Sequence, residues 1–296
     1  MKIKKITCTG NFRKEKFFSI INMIADFFDK NGMFDNQIEL MLSDEFTKHA
    51  MNENLNKNVQ IDTFENCIKC SDLIMSIGGD GTILSTVRKL SENQVPILGI
   101  HIGNLGFLAQ STEKTLNEAL KCIKEDNYKI QDKFLLKANI NNKTTYYHAF
   151  NDVVIDHGNS GRVLKTKVYN DNTHINNYEG DGIIISTPTG STGYSLSSGG
   201  PIIHSELDVV TITPISSHSL SARPIILSSK SNIKVNFSDN FIDASLTIDG
   251  QTRINLEKSD EIFISKSKLY AQIVVLPFYN YFTTLKEKLH WSGNSR

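Results

Sequence analysis

The chain of 296 residues balances 32 Lys plus Arg against 32 Asp plus Glu, with 39% hydrophobic residues and four cysteines. Zero net charge leaves no long-range field to gather nucleic acid or anionic lipid, and no Lys/Arg block replaces it locally, so neither a nucleic acid nor a membrane is expected as a partner. A chain this long can bury a large core, expected as two domains, and four cysteines are too few to staple it, which fits a reducing, cytoplasmic setting.

Met1-Lys2-Ile3-Lys4-Lys5 opens with positive charge as a signal peptide does, but Asn11, Arg13, Lys14, Glu15 and Lys16 interrupt the apolar stretch that should follow. No run approaches the roughly 18 apolar residues that a membrane span requires, so a soluble protein is expected. Residues 2–8 then read as a strand. Phe17, Ile20, Ile21, Ile24, Phe27 and Phe28 recur at helical spacing, with a stop at Asn31-Gly32. Residues 37–42 read as a second strand and the Asn-rich stretch 43–58 as a loop or a poorly packed helix. The apolar run 72–77 ends in glycines, as a buried parallel strand does, and leads into a helix over 82–93 and a strand over 95–100. Leu116, Ala119, Leu120 and Ile123 mark one more helix face. This is a βαβ rhythm.

From about Lys133 the pattern changes to short strands separated by turn residues: 134–140, 145–155, 165–169, 182–186, 209–213, 225–227, 233–237, 244–248, 261–265 and 271–276. Many strands without intervening helices imply a β-sandwich or barrel-like domain. A final helix is expected over 279–291. The domain limits expected on this reading are 1–130, 131–276 and a returning segment, 277–296.

Gly78-Gly79-Asp80-Gly81-Thr82 lies between a strand and a helix, where backbone N–H groups and the helix dipole favour anions and glycines let the main chain approach a phosphate. The spacing is not that of a Rossmann fingerprint, and the lysine of a Walker A loop is missing. Asp80 repels a phosphate, a cost that makes sense if it binds a metal or accepts a proton from a hydroxyl under phosphorylation; otherwise it simply caps a glycine turn. The segment 179–201 is dense in Gly, Ser and Thr yet contains Ile183–Ile185, Pro188, Tyr194 and Leu196, which do not suit a flexible linker. Its hydroxyls and amides offer neutral donors to phosphate and ribose, and Tyr194 offers a flat face to a base.

Gly78-Gly-Asp-Gly81, residues 103–108, Asn151-Asp152, residues 180–201, residues 213–224 and Asp249-Gly-Gln251 together resemble the bacterial-type NAD kinases, which phosphorylate the adenosine ribose 2′-hydroxyl of NAD. The blocks occur in that family's order between about residues 70 and 255, and the long Gly/Ser/Thr block is the specific element. The resemblance implies an α/β N-terminal domain, Rossmann-like and shared with diacylglycerol kinases, an all-β C-terminal domain, and a C-terminal segment returning to the first. It makes Asp80 the proton acceptor, with Gly78, Gly79, Gly81 and Thr82 as the phosphate loop. Asn151 and Asp152 would bind the adenosine portion and Phe107 would line the adenine pocket. Asp181, Thr192, Gly193, Tyr194, Ser195, Leu196 and Ser197 would hold the dinucleotide. Arg162 and Gln251 would add polar contacts, unless they are only an exposed turn residue and a turn partner. His218 would touch a phosphate or cap a strand end.

Some positions depart from the family pattern: Asp152 stands where Glu is frequent, Gly193 where Ala is typical, His101 where Asn is common, Ser216-Ser217 in place of Cys-Pro, and Glu179 near a position often basic. Cys67-Ile-Lys-Cys70 has metal-ligand spacing but no second pair, so both cysteines read as small buried helix residues, and His148 and His204 have no evident partner. The expected reaction is transfer of the γ-phosphate of ATP, or of polyphosphate, to NAD. ATP carries Mg²⁺ or Mn²⁺, no fixed protein ligand set is expected for the metal, and the assembly is a homotetramer or homodimer. A lipid or sugar kinase sharing the Gly-Gly-Asp-Gly loop, and a non-catalytic dinucleotide sensor, are the rival readings.

Overall fold

The computed structural model describes residues 3–30, 38–46, 55–90, 92–103, 106–141, 143–238, 241 and 243–291. The chain divides into two compact units, one of Met1–Asp132 with Ala271–Arg296 and one of Lys133–Tyr270. The C-terminal segment thus belongs to the first unit.

In the first unit β1 (Lys5–Gly10), β2 (Glu39–Ser43), β3 (Val59–Asp62), β4 (Leu73–Gly78), β5 (Ile97–His101) and the short β6 (Ser111–Thr112) alternate with α1 (Lys16–Lys30), α2 (Phe64–Cys70), α3 (Asp80–Leu90) and α4 (Leu116–Lys124). The parallel sheet runs β5-β4-β1-β2-β3, and β6 pairs with β5. All six residues of β4 are buried, which is why this run is apolar without alternation. Ile20, Ile21, Ile24 and Phe28 of α1 and Leu116, Ala119, Leu120 and Ile123 of α4 cover the sheet in one core with Ile6, Leu40, Leu73 and Met75. Each of the Leu, Ile, Phe and Met side chains among them contributes roughly 1.5–3 kcal/mol by leaving water. The helix stop expected at Asn31-Gly32 lies outside the described residues, as does half of the Asn-rich stretch, 47–54; residues 44–46 of the latter form a short 3-10 turn.

The second unit holds β8 (Tyr147–Ala149), β9 (Asp152–Asp156), β10 (Leu164–Asn170), β11 (Thr173–Gly180), β12 (Gly182–Ser186), α5 (Tyr194–Ser197), β13 (Val209–Ile215), β14 (Ile225–Ser228), β15 (Ile233–Phe237), β16 (Ala244–Ile248), β17 (Thr252–Leu256) and most of β7 (Lys129–Ile140) and β18 (Ile262–Val275). One antiparallel sheet has the order β14-β13-β12-β9-β16-β17; β11-β10-β15-β18 with β7 and β8 forms the other. Side chains from both sheets, among them Leu136, Val153, Ile183, Ile212, Val235, Leu246 and Ile262, share one core, so the unit is a sandwich. The last helix, α6 (Tyr281–Lys288), is N-capped by Asn280, whose side chain accepts from the Thr283 N–H.

Three differences from the sequence reading have physical causes. Residues 145–155 are not one strand: β8 pairs with β7 in one sheet and β9 with β12 and β16 in the other, and the chain crosses between them at Phe150-Asn151. Residues 261–276 hold one long strand, because Lys266, Ser267 and Lys268 stand within β18 as polar residues without ending it. β11 is half exposed, with only Tyr178 and Gly180 buried, and β17 alternates with one buried residue, so neither carries an apolar signature. The structure also shows β3 where no element was read, and it places the helix of Cys67 and Cys70 as α2. Cys67 is buried on α2 but Cys70 is exposed, a correction to the reading of both as buried. His148 has a partner after all: its Nδ1 lies 3.1 Å from Ser267 Oγ.

Candidate active site

Strand order places the Gly-Gly-Asp-Gly loop. The chain builds β1, β2 and β3 outward in one direction, then returns so that β4 flanks β1 on its other side. The sheet therefore reverses between β1 and β4, and in open α/β sheets ligands bind beyond the carboxyl ends of strands at such a switch point. β4 ends at Gly78 and α3 begins at Asp80. The Gly79 carbonyl accepts from the N–H groups of Thr82 and Ile83 at 2.9 and 3.2 Å, while the Gly79 N–H donates to Thr82 Oγ1 at 3.3 Å. Gly81 is exposed with open space where a side chain would stand.

The Asp80 carboxylate is not a plain helix cap. Its Oδ2 accepts the Phe107 N–H at 2.8 Å and its Oδ1 the Leu108 N–H at 3.2 Å. Phe107 is held from its other side as well, because the Tyr279 hydroxyl donates to its carbonyl at 3.2 Å. Burial pushes the Tyr279 phenol up to about 12, with Asp80 adding to the shift. These bonds explain Gly106, whose Cβ would stand 2.0 Å from Asp80 Oδ1. Nearby, burial pushes the His101 imidazole down while Asp80 opposes the shift, and His101 Nδ1 is buried without a hydrogen-bond partner among the described residues. Asp80 is thus fixed in direction, and each oxygen keeps a second lone pair for a proton.

In the second unit the crossing at Phe150-Asn151 is fixed by a distant carboxylate. Asp249, at a left-handed turn (φ 49), accepts the N–H of Phe150 at 2.9 Å through Oδ2, and those of Asn151 and Asp152 at 2.7 and 3.1 Å through Oδ1. The Asn151 carbonyl receives the Thr187 N–H at 2.9 Å, and a Cβ on Gly190 would lie 2.2 Å from the same oxygen. The turn Thr189–Thr192 therefore sits against Asn151 as only glycine permits. Gly193 follows, with its Cβ position 3.5 Å from Asn151 Nδ2 and 3.9 Å from Asp152 Oδ2. Asn151, Asp152, Thr192 and Gly193 are brought together in this way.

Many hydroxyls of the Gly/Ser/Thr block are spent inside the protein. Thr187 Oγ1 donates to the Phe150 carbonyl at 2.7 Å, Ser191 Oγ donates to the Pro188 carbonyl at 2.6 Å, and Ser195 Oγ lies 2.9 Å from Thr213 Oγ1. All three side chains are buried. This corrects the expectation that the block is a dense field of free donors: it is a rigid turn, and Thr192, Tyr194, Leu196 and Ser197 are its partly or wholly exposed members.

Around Asp152 and Tyr194 the local charge is acidic. Asp152 is 5% exposed; burial first, and the neighbouring Asp249 second, push its carboxyl up to about 7. Tyr194 is half exposed, and its phenol is raised by burial and then by the carboxylates of Asp156, Asp181 and Asp152. Asp181 is held at its backbone by Ile215 and His157. Arg162 is exposed, its side chain making no hydrogen bond or ion pair among the described residues, and His218 is exposed with its backbone N–H donating to the Glu179 carbonyl. Gln251 is exposed, its N–H closing the turn onto the Ile248 carbonyl at 2.9 Å. Glu179 pairs with Lys165 at 2.7 Å. Sequence reasoning placed Asp249 in the site as one of its carboxylates but not as the acceptor of the Phe150–Asp152 N–H groups, and it singled out neither Gly106 nor Gly190 nor Asp156. For Asp249 the only signal was the Asp-Gly pair itself.

Two family models match the chain: the ATP-NAD kinase N-terminal domain over residues 11–128 and the ATP-NAD kinase C-terminal domain over residues 150–276. The NAD kinase of Clostridium botulinum (strain Kyoto / Type A2) is 42% identical over 222 residues, 74% of this chain and 79% of the relative. The chain belongs to the ATP-NAD kinase family. The NAD kinase of Clostridium kluyveri is 41% identical over 80% of this chain and 87% of its own. Among solved structures, a yeast NADH kinase complexed with NADH superposes with a TM-score of 0.87 at 22% identity, covering 100% of this chain and 90% of that one. An NAD kinase from Archaeoglobus fulgidus in complex with ATP gives 0.73 at 22% identity, covering 98% and 100%. At that identity the likeness establishes the fold, an α/β unit with a β-rich unit. The match across 150–276 is what a lipid or sugar kinase sharing only the glycine loop would lack.

Proposed function

We propose that the protein transfers the γ-phosphate of ATP to the 2′-hydroxyl of the adenosine ribose of NAD, with Asp80 as the group that takes the hydroxyl proton. Phosphorylation of NAD is the activity of the family, and the observation that carries the chemistry is the Asp80 carboxylate, aimed by the Phe107 and Leu108 N–H groups at the start of α3. As the 2′-oxygen bonds to the γ-phosphorus, the bond from that phosphorus to the bridging oxygen of ADP breaks and the hydroxyl proton passes to Asp80. The Gly78–Gly81 amides and the α3 N-terminus favour the charge on the transferred group. Asp152, in its ionised form, accepts from ribose hydroxyls, while Asn151, Gly193 and Tyr194 orient the nucleoside. The neutral hydroxyls and amides of 192–197, with Asp181, seat the rest of the dinucleotide.

Among the described residues no group of three or more His, Cys, Asp or Glu converges in a way that could hold a metal ion. On this reading the divalent cation, Mg²⁺ or Mn²⁺, arrives as part of the nucleotide substrate, where it neutralises the triphosphate. Among the described residues no helix is long and apolar enough to cross a membrane; a cytoplasmic setting is part of the same proposal. So is a homodimer or homotetramer, which the family resemblance implies. Supplying ATP with NAD, diacylglycerol or fructose 6-phosphate and measuring the phosphorylated product tests the function: NADP alone is expected, and product from either other acceptor contradicts it.

A further inference from the structure

Lys133 lies on β7 and is 8% exposed, yet it carries an ammonium. Its Nζ donates to the Ser205 carbonyl at 3.0 Å and to Ser205 Oγ at 2.9 Å. Burial pushes the ammonium down to about 8, opposed by the charge of Glu206. A strand that needed only to fill this space would be served by methionine, which desolvates no charge.

What Ser205 belongs to gives the lysine a purpose. Residues 200–205 run alongside the Gly/Ser/Thr turn and are tied to it twice. The Gly200 N–H donates to the Ser195 carbonyl at 2.8 Å, and the Ile203 N–H donates to Ser191 Oγ at 3.0 Å. Ser191 is fully buried within the turn Thr189–Thr192, which leads directly into Gly193 and Tyr194. The strap is therefore fastened to the dinucleotide segment at two points and to β7 by Lys133. We infer that Lys133 is a positioning residue for the dinucleotide, its ammonium clamping residues 200–205 so that they brace the turn carrying Thr192, Gly193 and Tyr194. The inference rests on the assignment of that turn to NAD.

The test is NAD binding by calorimetry together with steady-state kinetics on Lys133→Met, Lys133→Arg, Ser205→Ala and the Lys133→Met/Ser205→Ala pair. Two charge-assisted hydrogen bonds are lost in Lys133→Met, so the NAD dissociation constant is expected to rise about tenfold, with the KM for ATP within about twofold of wild type. Lys133→Arg, which keeps the donors, should bind NAD more tightly than Lys133→Met. The double variant should be no weaker than Lys133→Met, because Ser205 acts only through the lysine. Wild-type NAD affinity in every variant overturns the clamp, as does a parallel rise in the constants for NAD and ATP. Should Lys133→Met fail to fold, Ser205→Ala decides, with a few-fold loss expected from the one neutral acceptor removed. A wild-type protein that binds NAD but makes no NADP would overturn the proposed activity and leave the clamp standing.

Discussion

Replacing Asp249 by asparagine probes the crossing between the two sheets of the β-rich unit, which carries Asn151 and Asp152, the residues proposed to bind the ribose. Asparagine tolerates the left-handed backbone at this position (φ 49) and keeps one carbonyl oxygen, so the turn itself is not strained. The carboxylate, however, receives three N–H groups, from Phe150, Asn151 and Asp152. The amide NH₂ must face at least one of them. Phe150 is fully buried, so a donor stranded there cannot turn to water. One unpaired buried donor costs about 1–3 kcal/mol, and two bonds that pass from charged to neutral acceptor lose roughly 1 kcal/mol each. Relief of the like charge beside Asp152 offsets part of this, leaving about 2–4 kcal/mol out of a typical total of about 5–15. That relief exists only where Asp152 is ionised, so the cost should be smaller at pH 8 than at pH 5.5. Urea denaturation at both values measures it. The same substitution should move the pH midpoint of NAD binding below about 7, toward but not down to the ordinary carboxylate range, because burial is the larger cause of the Asp152 shift and persists. An unchanged denaturation midpoint at both pH values, or a midpoint of NAD binding that moves upward, would refute the reasoning.

Asp152 itself makes stability depend on pH. Its folded value near 7 lies above the ordinary 3.8, so the folded state holds the proton more tightly than the unfolded chain. Stability should fall as pH rises between about 4 and 7, by up to about 4 kcal/mol from this group. Asp152→Asn should flatten that slope in a denaturation series, while the wild-type affinity for NAD should rise across pH 7 as the ribose acceptor ionises. Gly106→Ala would place a methyl 2.0 Å from Asp80 Oδ1 and turn the carboxylate away from its N–H donors. Turnover should drop at least tenfold with NAD binding retained, as read by kinetics beside calorimetry.

Much of this was legible in the residues because the signals were local. The run 72–77 followed by glycines placed β4 and the start of α3, and β12 was read with its observed bounds because Ile183–Ile185 is apolar within a polar block. The pieces that escaped depend on contacts far apart in sequence. Nothing within 145–155 announces a crossing between sheets; the crossing is held by a carboxylate nearly a hundred residues on, at Asp249. Nor does Gly106 declare its purpose until Asp80 stands against it. The hydroxyls of 186–195 read as ligand donors because composition cannot tell a free hydroxyl from one already bonded to the backbone. Arg162, offered by the resemblance, and His218, offered by residue type, are both exposed.

The most direct measurement is the rate of NADP formation from NAD and magnesium-ATP by the wild-type protein and by Asp80→Asn, with NAD binding measured in parallel. A proton acceptor in phosphoryl transfer contributes about 10² to 10⁴ in rate, so turnover should fall by that factor while the fold and the NAD dissociation constant stay near wild type. Turnover within a few-fold of wild type in Asp80→Asn would remove Asp80 from the chemistry, and no NADP from the wild-type protein would contradict the proposed reaction as a whole.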